Sequence, residues 1–264
     1  MTTDLATAKP FLSVVMPAYD EERTIERIVR QVLELSFLLE LIIIDDCSGD
    51  KTPEIINDLA ASDTRIRNVR LEKNAGKTEA LKTGFALTTG DIVIVQDADL
   101  EYDPQEIIDV IGPILDQRAD VVYGSRFMVK KAARVLYFSH YLANKALTFF
   151  SNTLTNLNMT DIETCYKAFR GDIIRNLVIT SSRFGFEVEV TAKIAKLKCA
   201  VYEVPISYYG RTYAEGKKIF FSDGVAAVWY IVRFNLLSGL RGSFREIPPM
   251  LSTLDKRLLE DKRE

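Results

Sequence analysis

Residues 92–103 read IVIVQDADLEYD, four apolar residues in a row followed by acids at alternate positions, Asp97, Asp99 and Glu101. Apolar side chains on both faces of a strand need cover on both sides, which a sheet sandwiched between helices supplies. Strands are expected at residues 12–16, 41–44, 66–71, 92–95 and 121–123. Helices are expected between them. One runs from about residue 22, with Ile25, Ile28, Val29, Val32 and Leu33 at helical spacing, and one starts at Pro53, with Ile55, Ile56 and Leu59 inward. Two more cover 77–87 and 104–115. This alternation predicts an α/β fold, a mainly parallel sheet with helices on both faces.

The rhythm then changes. A long aromatic helix is expected over 135–159, a short extended segment over 161–170 and a helix over 186–197. A strand over 200–204 continues as an extended edge to 209, and a second long helix covers 221–240. Pro248-Pro249 and KRLLEDKRE suggest a polar tail.

Open α/β sheets collect ligands at the carboxyl ends of their strands. Acids clustered there repel one another unless a positive charge lies between them, and a divalent cation with oxygen ligands is the simplest such charge. Asp97, Asp99 and Glu101 therefore read as a metal site more readily than as a polar turn. Other chemistries are less favoured. His140 is the only histidine, which removes most histidine-based zinc sites, and the three cysteines (Cys47, Cys165, Cys199) form no CxxC pair. Their spacing suits a reducing compartment. A net charge of -3 gives no reason to bind nucleic acid. The start MTTDLATAKP lacks a signal pattern, and no apolar run approaches the ~18 residues of a spanning helix. A soluble or surface-bound protein is expected.

Three further segments bear on ligands. In MPAYDEERT, Pro17 is expected to end the ladder, Tyr19 can stack on a planar ring, and Glu21 suits a helix start. In IIIDDCSGD, Asp45 and Asp46 sit where acids accept bonds from a ribose or base, while Asp50 or Thr52 is better placed to cap the next helix. NAGKT imitates a phosphate loop, but Leu71 stands where that loop needs glycine, and no GxGxxG occurs. Gly76 is then a tight helix entry, with Lys77 solvated or near the nucleotide.

MPAYDEE, IIIDDCSGDKT, NAGKTEALKTG, DADLEYDP and YGSRF, in that order and spacing, resemble the family 2 glycosyltransferases, above all the dolichol-phosphate mannose synthase group, over about residues 11–220. The resemblance implies a nucleotide-sugar-binding domain of the GT-A type, whose DxD acids hold Mg²⁺ or Mn²⁺ against the diphosphate. It places Pro17, Tyr19 and Glu21 at the border of the nucleotide, with Ile44 and Asp46 beneath its base and ribose. It makes Asp97, Ala98 and Asp99 the DxD, with Glu101 as a further metal ligand where the family often has glutamine. It sets Arg126 against the acceptor phosphate. Asp99 and Arg126 become the catalytic pair, and Arg211, Lys217 and Lys218 become candidates to clamp phosphate. DIETCYKAFR carries Thr164-Cys165 where the family commonly has serine-glycine. There Asp161 and Glu163 could face the sugar, and Lys167 and Arg170 could be surface charges.

The implied reaction is a metal-dependent, inverting transfer of a hexose, mannose or glucose, from a GDP-mannose or UDP-glucose type donor to a polyprenyl or dolichyl phosphate. A phosphate acceptor is already an anionic nucleophile and needs no histidine base, whereas a sugar hydroxyl would want a carboxylate base. Rivals are a family 2 enzyme acting on a glycan hydroxyl, a sugar-1-phosphate nucleotidyltransferase and a non-catalytic nucleotide-sugar-binding subunit. MPAYDEERT lacks the glycine-rich basic loop with which nucleotidyltransferases open.

The two aromatic helices, with Lys130, Lys131, Arg134 and Lys145 before or within the first, suit either a lipid interface with anionic headgroups or a core or dimer contact. A lipid acceptor favours the membrane surface, reached peripherally on the cytoplasmic face or through a membrane-protein partner. The expected organisation is a tail over 1–10, a catalytic domain over 11–220, an amphipathic interfacial helix over 221–241 and a polar tail over 242–264.

Overall fold

The computed structural model describes residues 9–128, 134, 137–212 and 221–248. Lys130, Lys131, Lys217, Lys218 and most of both polar tails lie outside these residues. Seven strands form one sheet: β1 (Leu12–Ala18), β2 (Leu38–Asp45), β3 (Ile66–Arg70), β4 (Ile92–Val95), β5 (Val121–Ser125), β6 (Lys167–Arg170) and β7 (Val201–Pro205). Their order is β3-β2-β1-β4-β6-β5-β7. All neighbours pair parallel except β6, which runs antiparallel between β4 and β5. The helices are α1 (Ile25–Leu33), α2 (Thr52–Ser62), α3 (Lys77–Leu87), α4 (Ile107–Leu115), α5 (Phe138–Thr155), α6 (Gly171–Asn176), α7 (Phe186–Leu197) and α8 (Phe221–Leu236).

The expected αβ alternation is present, and α3, β4 and α7 span the predicted residues. Differences lie at the edges. β1 does not stop at Pro17 but continues to Ala18. Val15 accepts from Gln96 on the β4 side and Ala18 accepts from Asp46 on the β2 side. Side-alternation along the strand puts Pro17 on Val15's side, where β4 has already ended, so its missing N–H costs no ladder bond. The expected α1 start at 22 moves to Ile25, and the expected extended edge over 205–209 is not a strand beyond Pro205. The short helix α6 was not anticipated, and α5 is shorter than its predicted span.

The core is continuous across the sheet. Leu12, Val14, Val15 and Met16 of β1, Val93 and Ile94 of β4, and Ala168 and Phe169 of β6 are all fully buried. Burial on both faces is what the apolar run at 92–95 requires. Because β1, β2 and β4 are parallel, their carboxyl ends reach the same edge, and the acidic turns that follow meet there.

Candidate active site

The turns after β1 and β4 deliver Glu21, Asp97, Asp99 and Glu101 to one edge of the sheet. Arg211, a few residues beyond β7, reaches across them. Its Nη1 and Nη2 donate to Glu21 at 3.1 and 3.2 Å, and Nη2 donates to Asp99 Oδ2 at 2.9 Å. Its Nε lies 3.5 Å from Glu101 Oε1. Burial opposes the charge on Arg211, but Asp99 and Glu21 outweigh it and raise the guanidinium's pKa. Burial, with Asp97 and Glu101 adding repulsion, pushes Asp99 up to about 7 against the pull of Arg211. A partly buried cluster of acids has thus acquired a cation, as the sequence argument required, and that cation is a side chain.

Asp97 takes a different partner. Lys77 Nζ lies 3.0 Å from Asp97 and 3.2 Å from Glu187 of α7. Those carboxylates raise the lysine's pKa although burial acts the other way. Lys77 is therefore not solvated. Its position depends on Gly76, which has φ +88° and lies so close to Arg183 that a Cβ would come within 2.8 Å of that residue's Cα. Asp46 fixes the same turn by accepting from Ala75 N at 2.7 Å and Gly76 N at 2.8 Å.

Glu101 is anchored by the segment after β7. Its Oε2 accepts from the Tyr208 hydroxyl at 2.8 Å, its Oε1 from Arg211 N at 2.8 Å, and its carbonyl from Tyr209 N at 2.9 Å. Among the described residues no three His, Cys, Asp or Glu side chains already form a metal cage. The donor set is all oxygen, and the crowding that lifts Asp99 is what a hard cation would relieve, so Asp97 and Asp99 fit such an ion.

The remaining predicted contacts are distributed unevenly. Tyr19 is 38% exposed at the mouth, and its hydroxyl pKa is raised chiefly by Asp20. Pro17 is half-buried beside it. Ile44 and Ala98 are buried in the sheet core and its margin, so they support the edge from beneath.

On the other side of Glu101 stands Arg126, just past β5. Its Nε and Nη2 donate to Asp161 at 2.7 and 2.8 Å, and its guanidinium lies 5.2 Å from the centre of the Tyr208 ring. Asp161 is fully buried, which corrects the expectation that it faces a sugar. Its turn is held by Glu203 of β7, which accepts from Thr160 N and Asp161 N. Lys167 is no surface charge either. It is fully buried, donates to the Thr164 carbonyl and sits 4.9 Å from the Tyr123 ring centre. Burial lowers its pKa against the pull of Glu187 and Glu163. Arg170 pairs with Asp120 and Asp172 and is half-buried. Glu163 is raised to about 7 by burial and by Glu187, against Lys167 and Arg126. Sequence reasoning did not single out Glu187, Glu203 or Tyr208. Each acts on a residue far away in the chain, and no local pattern marks it.

The profile of glycosyl transferase family 2 matches residues 13–178. The chain is 38% identical over 128 residues to the glycosyltransferase AglD of Haloferax volcanii, a stretch covering 46% of this chain and 20% of that protein. The match thus spans about a fifth of that relative's length. Against an undecaprenyl-phosphate mannosyltransferase of Micrococcus luteus it is 26% identical over 236 residues, covering 86% of this chain and 95% of the other. In fold it is similar to a glucosyl-3-phosphoglycerate synthase from Mycobacterium tuberculosis solved with Mn²⁺, UDP and phosphoglyceric acid. That likeness has a TM-score of 0.68 at 21% identity, over 88% of this chain and 80% of that one.

Proposed function

The chain belongs to glycosyl transferase family 2, and on that premise we propose that it moves a hexose, with inversion, from a nucleotide sugar to a polyprenyl or dolichyl phosphate. The observation that carries this reading is a pair of charge sites separated by one tyrosine. On one side, Glu21, Asp97, Asp99 and Glu101 draw in positive charge. On the other, Arg126 holds a buried positive charge fixed by Asp161. An activated donor carried by a cation suits the first, and an anionic acceptor suits the second.

Asp97, Asp99 and Glu101 would hold Mg²⁺ or Mn²⁺, which when bound supplies Lewis-acid stabilisation to the departing nucleoside diphosphate. The protein's own groups do the rest. Arg211, once released from Glu21 and Asp99, is within reach of the same diphosphate, where its planar fork matches two oxygens. Tyr19 at the mouth offers a face for the base. Arg126 gives Nε and Nη2 to Asp161, which leaves Nη1 outside the pair for an acceptor phosphate oxygen. A phosphate nucleophile arrives deprotonated, so the step needs orientation more than a base.

The lipid acceptor implies a membrane surface. Among the described residues no helix is long and apolar enough to cross a bilayer. α5 and α8 instead present bare apolar side chains, among them Phe138 at 74%, Phe149 at 75% and Trp229 at 56% exposure. We assign residues 11–220 to catalysis and 221–241 to an interfacial helix on the cytoplasmic face, with a membrane-protein partner as a further anchor. A relative named as an undecaprenyl-phosphate mannosyltransferase supports this acceptor class.

The test is a transfer assay with UDP-glucose and GDP-mannose as donors, Mn²⁺ or Mg²⁺ present, and citronellyl phosphate or a soluble glycan as acceptor. Lipid-phosphate-linked hexose is expected with one donor, and EDTA should abolish it. Transfer to the glycan alone would move the protein to the hydroxyl-acceptor class. Nucleotide-sugar binding without turnover would make it a binding subunit.

A further inference from the structure

Tyr208 touches both halves of the cleft. Its hydroxyl donates to Glu101 Oε2 at 2.8 Å, while the face of its ring lies under the Arg126 guanidinium at 5.2 Å. A second ring, that of Tyr102, backs it at 5.5 Å between centres. Tyr102 in turn accepts from Cys165 N at 3.1 Å, so the aromatic pair is fixed to the turn ahead of β6. Glu101 has both carboxylate oxygens committed to the 208–211 segment, one to the Tyr208 hydroxyl and one to Arg211 N. A cation drawing on Glu101 competes with those donors and loosens the hydroxyl. An anion held on Arg126 would then lie beside it, because ring and guanidinium are already stacked.

We infer that Tyr208 is a positioning residue that couples the two substrates, its hydroxyl passing from Glu101 to an anion on Arg126 when a divalent cation enters the acidic cluster. This rests on the proposed acceptor being a phosphate. It goes beyond that proposal by assigning the residue through which the two sites are linked. Coupling of this kind is reciprocal, so an anion on Arg126 should also tighten cation binding by the same factor.

Binding measurements test it without turnover. Affinity for citronellyl phosphate is measured by calorimetry with and without Mn²⁺, in the absence of donor, for the unaltered protein, Tyr208→Phe and Tyr208→Leu. The unaltered protein should bind the phosphate on the order of five-fold more tightly with Mn²⁺, the low end of site-to-site coupling. Tyr208→Phe keeps the ring under Arg126 but has no proton to pass, so that gain should vanish. Tyr208→Leu should lose the gain and also weaken metal-free binding, since the guanidinium loses its aromatic support. A Tyr208→Phe protein that keeps the whole Mn²⁺ gain overturns the inference and leaves the acceptor assignment standing. An unaltered protein that binds no citronellyl phosphate overturns both. Melting temperature serves as the folding control.

Discussion

Arg126 illustrates how one side chain holds both structure and chemistry. Asp161 beneath it is fully buried, and burial alone would raise the carboxyl, but Arg126 outweighs this and holds it low. Removing the arginine strands that charge, a loss of about 3–5 kcal/mol for a broken buried pair. Arg126→Ala is therefore expected to lower the melting temperature as well as acceptor use, and its kinetics alone would be ambiguous. Arg126→Lys separates the two, because it keeps the charge but not the fork. Its melting temperature should fall less, and KM for a lipid phosphate should rise by about ten-fold, the loss of one charge-assisted bond. KM for the donor should move little. Initial rates with each substrate varied would show this, and an equal rise in the donor KM would remove Arg126 from the acceptor side. The alternation of acids in DADLEYD marked the cluster that the structure brings to one edge, while Arg126 was marked only by the resemblance of YGSRF. Lys77 and Lys167 were not legible. A lysine looks solvated in sequence, and only the long-range closure of α7 and β6 around these two puts their ammonium groups inside.

At the scale of elements, the same contrast separates what periodicity shows from what pairing decides. The β1-α1 to β4 alternation was readable because β1, β2 and β4 are apolar on both faces and α1 carries one apolar stripe. The antiparallel insertion of β6 was not, because Lys167–Arg170 carries charges at both ends and its partners β4 and β5 lie far off in the chain. α5 is a third case. Its aromatic content allowed a core, a dimer contact or a lipid interface, and exposure now removes the core for one face. Phe138, Leu142 and Phe149 recur at helical spacing and all remain exposed, at 74%, 56% and 75%. Changing these three to serine should leave the fold intact, since they pack against little, and should sharply reduce co-sedimentation with vesicles of anionic phospholipid. Transfer to a short, water-soluble citronellyl phosphate should survive while transfer to a long-chain polyprenyl phosphate falls. Unchanged vesicle binding would return the stripe to a protein–protein role.

Across the whole molecule, charge runs through the seam between the alternating half and the later elements. Lys77 with Asp97 and Glu187, Lys167 near Glu163, and Arg126 with Asp161 lie where α7, β5 and β6 meet the acidic edge, while the buried pair Lys193–Glu189 lies within α7 against Val178 and Phe234. Replacing such pairs by apolar residues is often neutral or stabilising, whereas removing one partner strands a buried charge. Glu163 shows the cost most directly. Its carboxyl is raised from 4.5 to about 7, first by burial and then by Glu187. The folded chain therefore keeps a proton that the unfolded chain gives up between those values. The resulting contribution is fully present below about 4.5 and is lost as pH rises through about 7. Asp99, also raised to about 7, acts in the same direction. Without divalent cation, the melting temperature is thus expected to fall between pH 5 and pH 8 by more than surface charge would give, at ~2–4 °C for each kcal/mol. Glu163→Gln should flatten part of that slope, melting above the unaltered protein at pH 8 and close to it at pH 5. If the two melting curves stay parallel across that range, Glu163 carries its charge in the folded protein at neutral pH, and the seam tolerates that charge.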